Sequence, residues 1–141
     1  MTRQIPAARI YFPKEDITTL DGQINLILQS GQLTLGKYTK EFEERFSSYS
    51  GTKYGIAVNS GTSALEIILR CLDMNGSSVI IPTNTFAATA FAAIHAGAEV
   101  IFAEIGDDLC LDSDDLNEKI KKDTKAVIIV HIGGIISTQI N

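Results

Sequence analysis

The run Asn59-Ser60-Gly61-Thr62-Ser63-Ala64-Leu65 carries the residue types from which a phosphate seat can be built. It lies between an apolar stretch that reads as a strand and a periodic stretch that reads as a helix. The first turn of a helix offers N–H groups with no intrahelical acceptor, and the aligned peptide dipoles make that end attractive to an anion. A glycine lets a ligand approach the backbone closely, and hydroxyls at Ser60, Thr62 and Ser63 can add donors. The same residue types also build an ordinary capped turn, and in isolation the run reads more readily as that. It is neither a GxGxxG dinucleotide fingerprint nor a GxxxxGK[ST] P-loop, so an adenine nucleotide is poorly supported.

Other reactive side chains read more plainly. Cys71 and Cys110 have no CxxC and no histidine pair nearby, which indicates neither a disulfide framework nor a metal site; buried free thiols are expected. His95 stands near a helix end beside Gly97, where a dipole or capping role is expected. From Glu99 to Glu118 there are eight acids and no Lys or Arg. Most of these are expected at solvated loop and helix-start positions, with no support for paired-carboxylate catalysis.

The elements that would position these groups alternate. Tyr54–Val58 reads as a first strand, and Leu65, Ile68, Leu69 and Leu72 recur at helical spacing over 63–72. Ser78–Ile81 reads as a strand stopped by Pro82, followed by a helix over 86–96. A strand over 100–103, a helix over 113–121 with Asp112 as its cap, and a strand over 126–130 complete the series. Unbroken strand–helix alternation, with runs such as Val79-Ile80-Ile81 apolar at consecutive positions, predicts an α/β fold with a mostly parallel sheet covered on both faces. Before it, Ile17, Leu20, Ile24, Ile27 and Leu28 mark one helix, Gly31–Gly36 a linker, and Phe42 and Phe46 a second helix. The expected organisation is a helical arm over 1–50 and an α/β part over 51–141.

Composition limits the partners. With 141 residues, 45% apolar, and 12 basic against 17 acidic side chains for a net charge of −5, the chain is expected to fold as one globular domain or part of one. The acidic balance gives no electrostatic footprint for nucleic acid. No apolar run approaches bilayer length and the start has no signal-peptide pattern, so a cytoplasmic protein without membrane contact is expected.

Together with four further segments, the Ser60 run resembles the DegT/DnrJ/StrS family of sugar aminotransferases. The segments are Gly31-Gln32-Leu33-Thr34-Leu35-Gly36, Glu41–Phe46, Pro82-Thr83-Asn84-Thr85-Phe86-Ala87-Ala88-Thr89-Ala90 and Val130-His131-Ile132-Gly133-Gly134. The resemblance extends from about Ile24 to the end of the chain, with the segments in the family's order. Lys37 stands where the family usually has proline, and Ser63 where an acid is common.

The resemblance implies the large domain of an aspartate-aminotransferase-like fold with pyridoxal 5'-phosphate as cofactor. It implies that Ser60, Gly61 and Thr62 lie at the cofactor phosphate and that Phe86 stacks on the pyridine ring. His131 would lie near the cofactor or the sugar, with a structural histidine as the competing reading. Thr34 and Gly36 match a segment near the substrate, often across a dimer interface. The implied reaction moves an amino group from glutamate to a keto sugar on a nucleotide, in a homodimer.

Such chemistry needs a lysine to bond the cofactor and move a proton, and an aspartate against the pyridine nitrogen. In the family both follow the His-x-x-Gly segment. None of the eight lysines of this chain matches that motif, so no catalytic residue is assigned. The expectation is the N-terminal portion of a longer enzyme, inactive alone, in which only the second and third of four strands are neighbours. The alternatives are a dehydratase of the same family, with histidine for the lysine, and a non-catalytic regulatory remnant. A nicotinamide-dependent oxidoreductase falls behind for want of a glycine fingerprint.

Overall fold

The structure, a computed structural model, describes residues 8–137. It divides into two units, Met1–Ala57 and Val58–Asn141.

In the first unit, α1 (Lys14–Ser30) and α2 (Lys37–Ser50) are the two expected helices, each ended by a glycine. Phe42 and Phe46, one turn apart on α2, bring their ring centroids to 5.8 Å. The predicted strand over Tyr54–Val58 does not form: the segment is irregular, with no ladder partner among the described residues. A strand needs a neighbour for its N–H and C=O groups, and here the chain turns back on α2 instead. Ala57 N–H donates to Glu43 Oε1 at 2.8 Å, and at Gly55 a Cβ would stand 2.7 Å from the Glu43 carbonyl oxygen. Only glycine permits that approach.

The second unit holds α3 (Gly61–Cys71), β1 (Ser78–Pro82), α4 (Ala87–His95), β2 (Glu99–Ala103), α5 (Ser113–Lys119) and β3 (Thr124–Val127). The sheet is parallel, in the order β2-β1-β3. The expectation that only the second and third predicted strands would be neighbours is therefore wrong, because β3 also pairs with β1, from Ser78↔Thr124 to Ile80↔Val127. A central strand has two edges of hydrogen-bonding groups, and burying either without a partner is costly. β3 is also shorter than the apolar run 126–130. Ile128 N–H still donates to Ile80 O, but β1 ends at Pro82, which has no N–H for a further rung.

β1 is buried at every position, and its alternation supplies two cores. Val79 and Ile81 pack with Leu69, Met74, Ala93 and Ala96 under α3 and α4. Ile80 packs with Ala103, Leu111 and Leu116 on the α5 side. The predicted stripe on α3 is covered only in part: Leu69 is buried, whereas Ile68 and Leu72 are exposed. Cys110 is buried as expected, but Cys71 is exposed. Two residues beyond Leu69, it points to the opposite side of the helix.

α5 shows its cap directly, with Asp112 Oδ1 accepting from the N–H groups of Asp114 and Asp115 at 2.9 Å. Asp115 Oδ2 accepts from Lys119 Nζ at 2.8 Å and from Glu104 N–H at 2.6 Å, tying the helix to the end of β2. The Lys119 hydrogen bond, then that of Glu104, holds the Asp115 carboxyl below its ordinary value of 3.8. A lowered folded pKa gives stability that is present above 3.8 and lost as pH falls through the folded value. Urea midpoints followed from pH 7 downward should therefore fall less steeply below that value in Asp115→Asn than in the parent chain. Identical profiles would contradict this.

Candidate cofactor-phosphate site

Chain direction brings the candidate residues to one edge. α3 leads through residues 72–77 into the start of β1, and β1 leads through residues 83–86 into the start of α4. At their C-terminal ends the two helices are tied: Arg70 Nη2 donates to His95 O at 2.6 Å, and Glu66 accepts from Arg70 Nε at 2.8 Å. Both helices thus run opposite to β1. An 11-residue helix rises about 16 Å, close to the length of a five-residue strand. The N-termini of α3 and α4 therefore lie at the carboxyl edge of the sheet, the usual ligand edge of open α/β folds. β3 is parallel to β1, so His131, four residues past its end, lies at that edge too.

Ser60 is the N-cap of α3, with extended φ and ψ of −161° and 159°. Its Oγ accepts from Ser63 N–H at 3.1 Å and donates to Ser63 Oγ at 3.1 Å, while its carbonyl accepts from Ala64 N–H. The Ser60 hydroxyl is thus engaged within the cap, and Ser63 Oγ is left with its own proton to offer. The N–H groups of Gly61 and Thr62 have no acceptor among the described residues. Among the described residues, and apart from its chain neighbours and the backbone of α3 itself, no atom lies within 4 Å of where a Cβ on Gly61 would stand. Two free N–H donors, open space and the positive end of α3 suit a phosphate. Ser60→Ala removes the cap and is expected to cost about 1 kcal/mol, read as a lower urea midpoint; an unchanged midpoint would show that the cap contributes nothing.

Phe86 is the N-cap residue of α4, and at 81% exposure its ring is free to meet a flat ligand. The loop before it is braced. Thr83 N–H donates to Ala103 O, Asn84 Nδ2 to Leu109 O at 3.4 Å, and Thr85 Oγ1 pairs with Thr89 Oγ1 at 2.8 Å. His131 is exposed, and its Nδ1 accepts from Ser137 N–H at 3.3 Å.

Thr34 and Gly36 belong to the first unit. Thr34 lies in an exposed bend beside Leu35, whose φ is 50°, and Gly36 caps α2. Gly36 also borders a cavity of about 230 Å³ with Ile27, Leu33 and Tyr38.

Sequence reasoning missed the Glu66–Arg70–His95 tie, although Glu and Arg four residues apart on a helix were a readable signal. The ring of His95 faces Glu66, with Nδ1 3.5 Å from Oε2, rather than capping a carbonyl. Hydrogen bonding from Arg70, with smaller effects of the Arg70 and His95 charges, holds the Glu66 carboxyl below its ordinary value. Among the described residues no group of three or more His, Cys, Asp or Glu side chains is arranged to hold a metal ion, and no helix is long and apolar enough to cross a membrane.

An α/β unit with a three-stranded parallel sheet of this kind has close counterparts among solved structures. A putative sugar aminotransferase from Streptococcus pneumoniae, in both its PLP and PMP forms, superimposes with a TM-score of 0.86 at 35% identity, over 96% of this chain and 34% of that one. The architecture is thus part of the type I pyridoxal-phosphate fold. The family model for the DegT/DnrJ/EryC1/StrS aminotransferase family matches residues 15–140, and the chain belongs to that family. The dTDP-3-amino-3,6-dideoxy-alpha-D-galactopyranose transaminase of Aneurinibacillus thermoaerophilus is 38% identical over 79% of this chain and 31% of its own length. The 3-oxo-glucose-6-phosphate:glutamate aminotransferase of Bacillus subtilis is 33% identical over 92% of this chain and 30% of its own. The chain spans about a third of the length of the relatives it matches.

Proposed function

We propose that this chain supplies the phosphate-binding part of a pyridoxal-phosphate enzyme that transfers an amino group from glutamate to a keto sugar carried on a nucleotide. The observation that carries the reading is the pair of N–H groups at Gly61 and Thr62, without an acceptor among the described residues, beside open space at the start of α3. The names of the relatives support a sugar as acceptor and, for one of them, glutamate as donor. When bound, the cofactor supplies the electron-accepting ring that amino transfer requires. Gly61 and Thr62 would hold its phosphate, with the Thr62 and Ser63 hydroxyls as further donors and Ser60 fixing the turn. Phe86 would stack on the ring and exclude water from one of its faces. Thr34 and Gly36 would serve the sugar from the arm over 1–50, ahead of the cofactor-binding part over 51–141. We assign none of the chain's lysines to the reaction, and propose that the homodimeric enzyme completes the site with residues outside this chain.

Pyridoxamine phosphate is the suitable probe, because it has no aldehyde to react with surface lysines. The chain should bind it at least about tenfold more tightly than pyridoxamine, since charge-assisted hydrogen bonds to the phosphate are worth about 1.5–3 kcal/mol each. Equal affinities by calorimetry would remove the phosphate seat from the account.

A further inference from the structure

We infer that neutral His131 carries its proton on Nε2 and presents that N–H as a donor at the carboxyl edge of the sheet, because Nδ1 is held as an acceptor by the chain's own backbone. After β3 the chain folds back through a 3-10 turn over Ile132–Gly134, with Gly133 and Gly134 at φ 58° and 85°. These left-handed values come readily to glycine and turn the chain sharply. The return is fixed by contacts that do not involve the imidazole. Gly134 N–H donates to His131 O at 3.1 Å and Ile135 N–H to Ile132 O at 2.9 Å. The thiol of buried Cys110 lies 3.8 Å from the Ile135 carbonyl oxygen, to which it donates. The Ser137 N–H is thereby delivered to His131 Nδ1 at 3.3 Å.

A neutral imidazole has one donor and one acceptor nitrogen, so an N–H facing Nδ1 demands the lone pair there and leaves the proton on Nε2. Nε2 has no partner among the described residues, and the side chain is exposed. His131 is thus oriented with one nitrogen occupied and one donor free. The use of that donor toward an oxygen of the bound cofactor rests on the function proposed above; the tautomer does not.

Histidine-selective nitrogen NMR of the full chain tests both parts. His95 and His131 are the only two histidines, so His95→Gln assigns the signals. At about pH 8, His131 should show the Nε2–H form. The ratio of Nε2–H to Nδ1–H should fall about fivefold in Ser137→Pro, the equivalent of one net hydrogen bond. A dominant Nδ1–H form, or a ratio unchanged in Ser137→Pro, would overturn the inference. Should that variant fail to fold, a through-bond coupling between the Ser137 amide nitrogen and Nδ1 in the parent chain decides instead: its presence supports the contact and its absence overturns it. On adding pyridoxamine phosphate, a shift of the Nε2 proton supports the donor role, whereas binding seen by phosphorus NMR without that shift overturns it. No binding at all sinks the proposed function, while the tautomer measurement still decides the state of the ring.

Discussion

Gly61→Pro is expected to weaken binding of pyridoxamine phosphate by about 10- to 100-fold while leaving the helix in place. Gly61 is the first residue of α3, the one helical position where proline is favoured, because the N–H there has no intrahelical acceptor. Proline also requires the preceding residue to be extended, and Ser60 already is, at φ −161° and ψ 159°. A Cβ at this position meets no atom of the described residues within 4 Å beyond its chain neighbours and the backbone of α3 itself, so that part of the ring is accommodated. The substitution therefore removes one donor and little else. A charge-assisted hydrogen bond contributes about 1.5–3 kcal/mol, which is the stated loss of affinity. The check is calorimetry with the probe beside a urea titration of both proteins: affinity should fall and the urea midpoint should hold. Retained affinity would mean that the Gly61 N–H faces no anion.

The largest effect on stability is expected from Ile80→Ala, about 2–5 kcal/mol. Ile80 is fully buried on the central strand, against Ala103, Leu111 and Leu116. Removing its three outer carbons loses their transfer free energy and leaves a cavity that a parallel strand, paired on both sides, relaxes only partly. Domains are stable by about 5–15 kcal/mol in total, so the loss is a large share and should appear as a steep drop in the urea midpoint. Ile80→Val keeps most of the volume and should cost about 0.5–1.5 kcal/mol. Equal midpoints for the two variants would show that this face of the sheet is not packed as described.

Local signals in the sequence located most elements, because each carries its own punctuation. Leu69 on its helical stripe, Asp112 before α5 and the Val79-Ile80-Ile81 run all stand where their spacing predicts. What was not legible depends on partners distant in the chain. Tyr54–Val58 has the composition of a strand, yet composition supplies no neighbour, and Ala57 binds Glu43 instead. The pairing of β3 with β1 departs from the strand order expected with the family resemblance, and the apolar pattern of either strand could not supply it, because sheet order follows from tertiary packing. At the candidate site the residue types at Ser60–Thr62 were readable. The division of labour was not: the Ser60 hydroxyl turns inward to Ser63, and only the geometry shows that the N–H groups of Gly61 and Thr62 are the free ones. His131 was readable as an edge residue, but its bond to Ser137 depends on a turn made by two left-handed glycines.

The central claim is that an anionic phosphate is held by the first turn of α3. Amide proton–nitrogen spectra of the chain, recorded as pyridoxamine phosphate is added, test it most directly. The Gly61 and Thr62 amide protons should move downfield with a common saturation curve, and pyridoxamine should leave them in place. Saturable shifts confined to other segments, with these two amides unmoved, would contradict it.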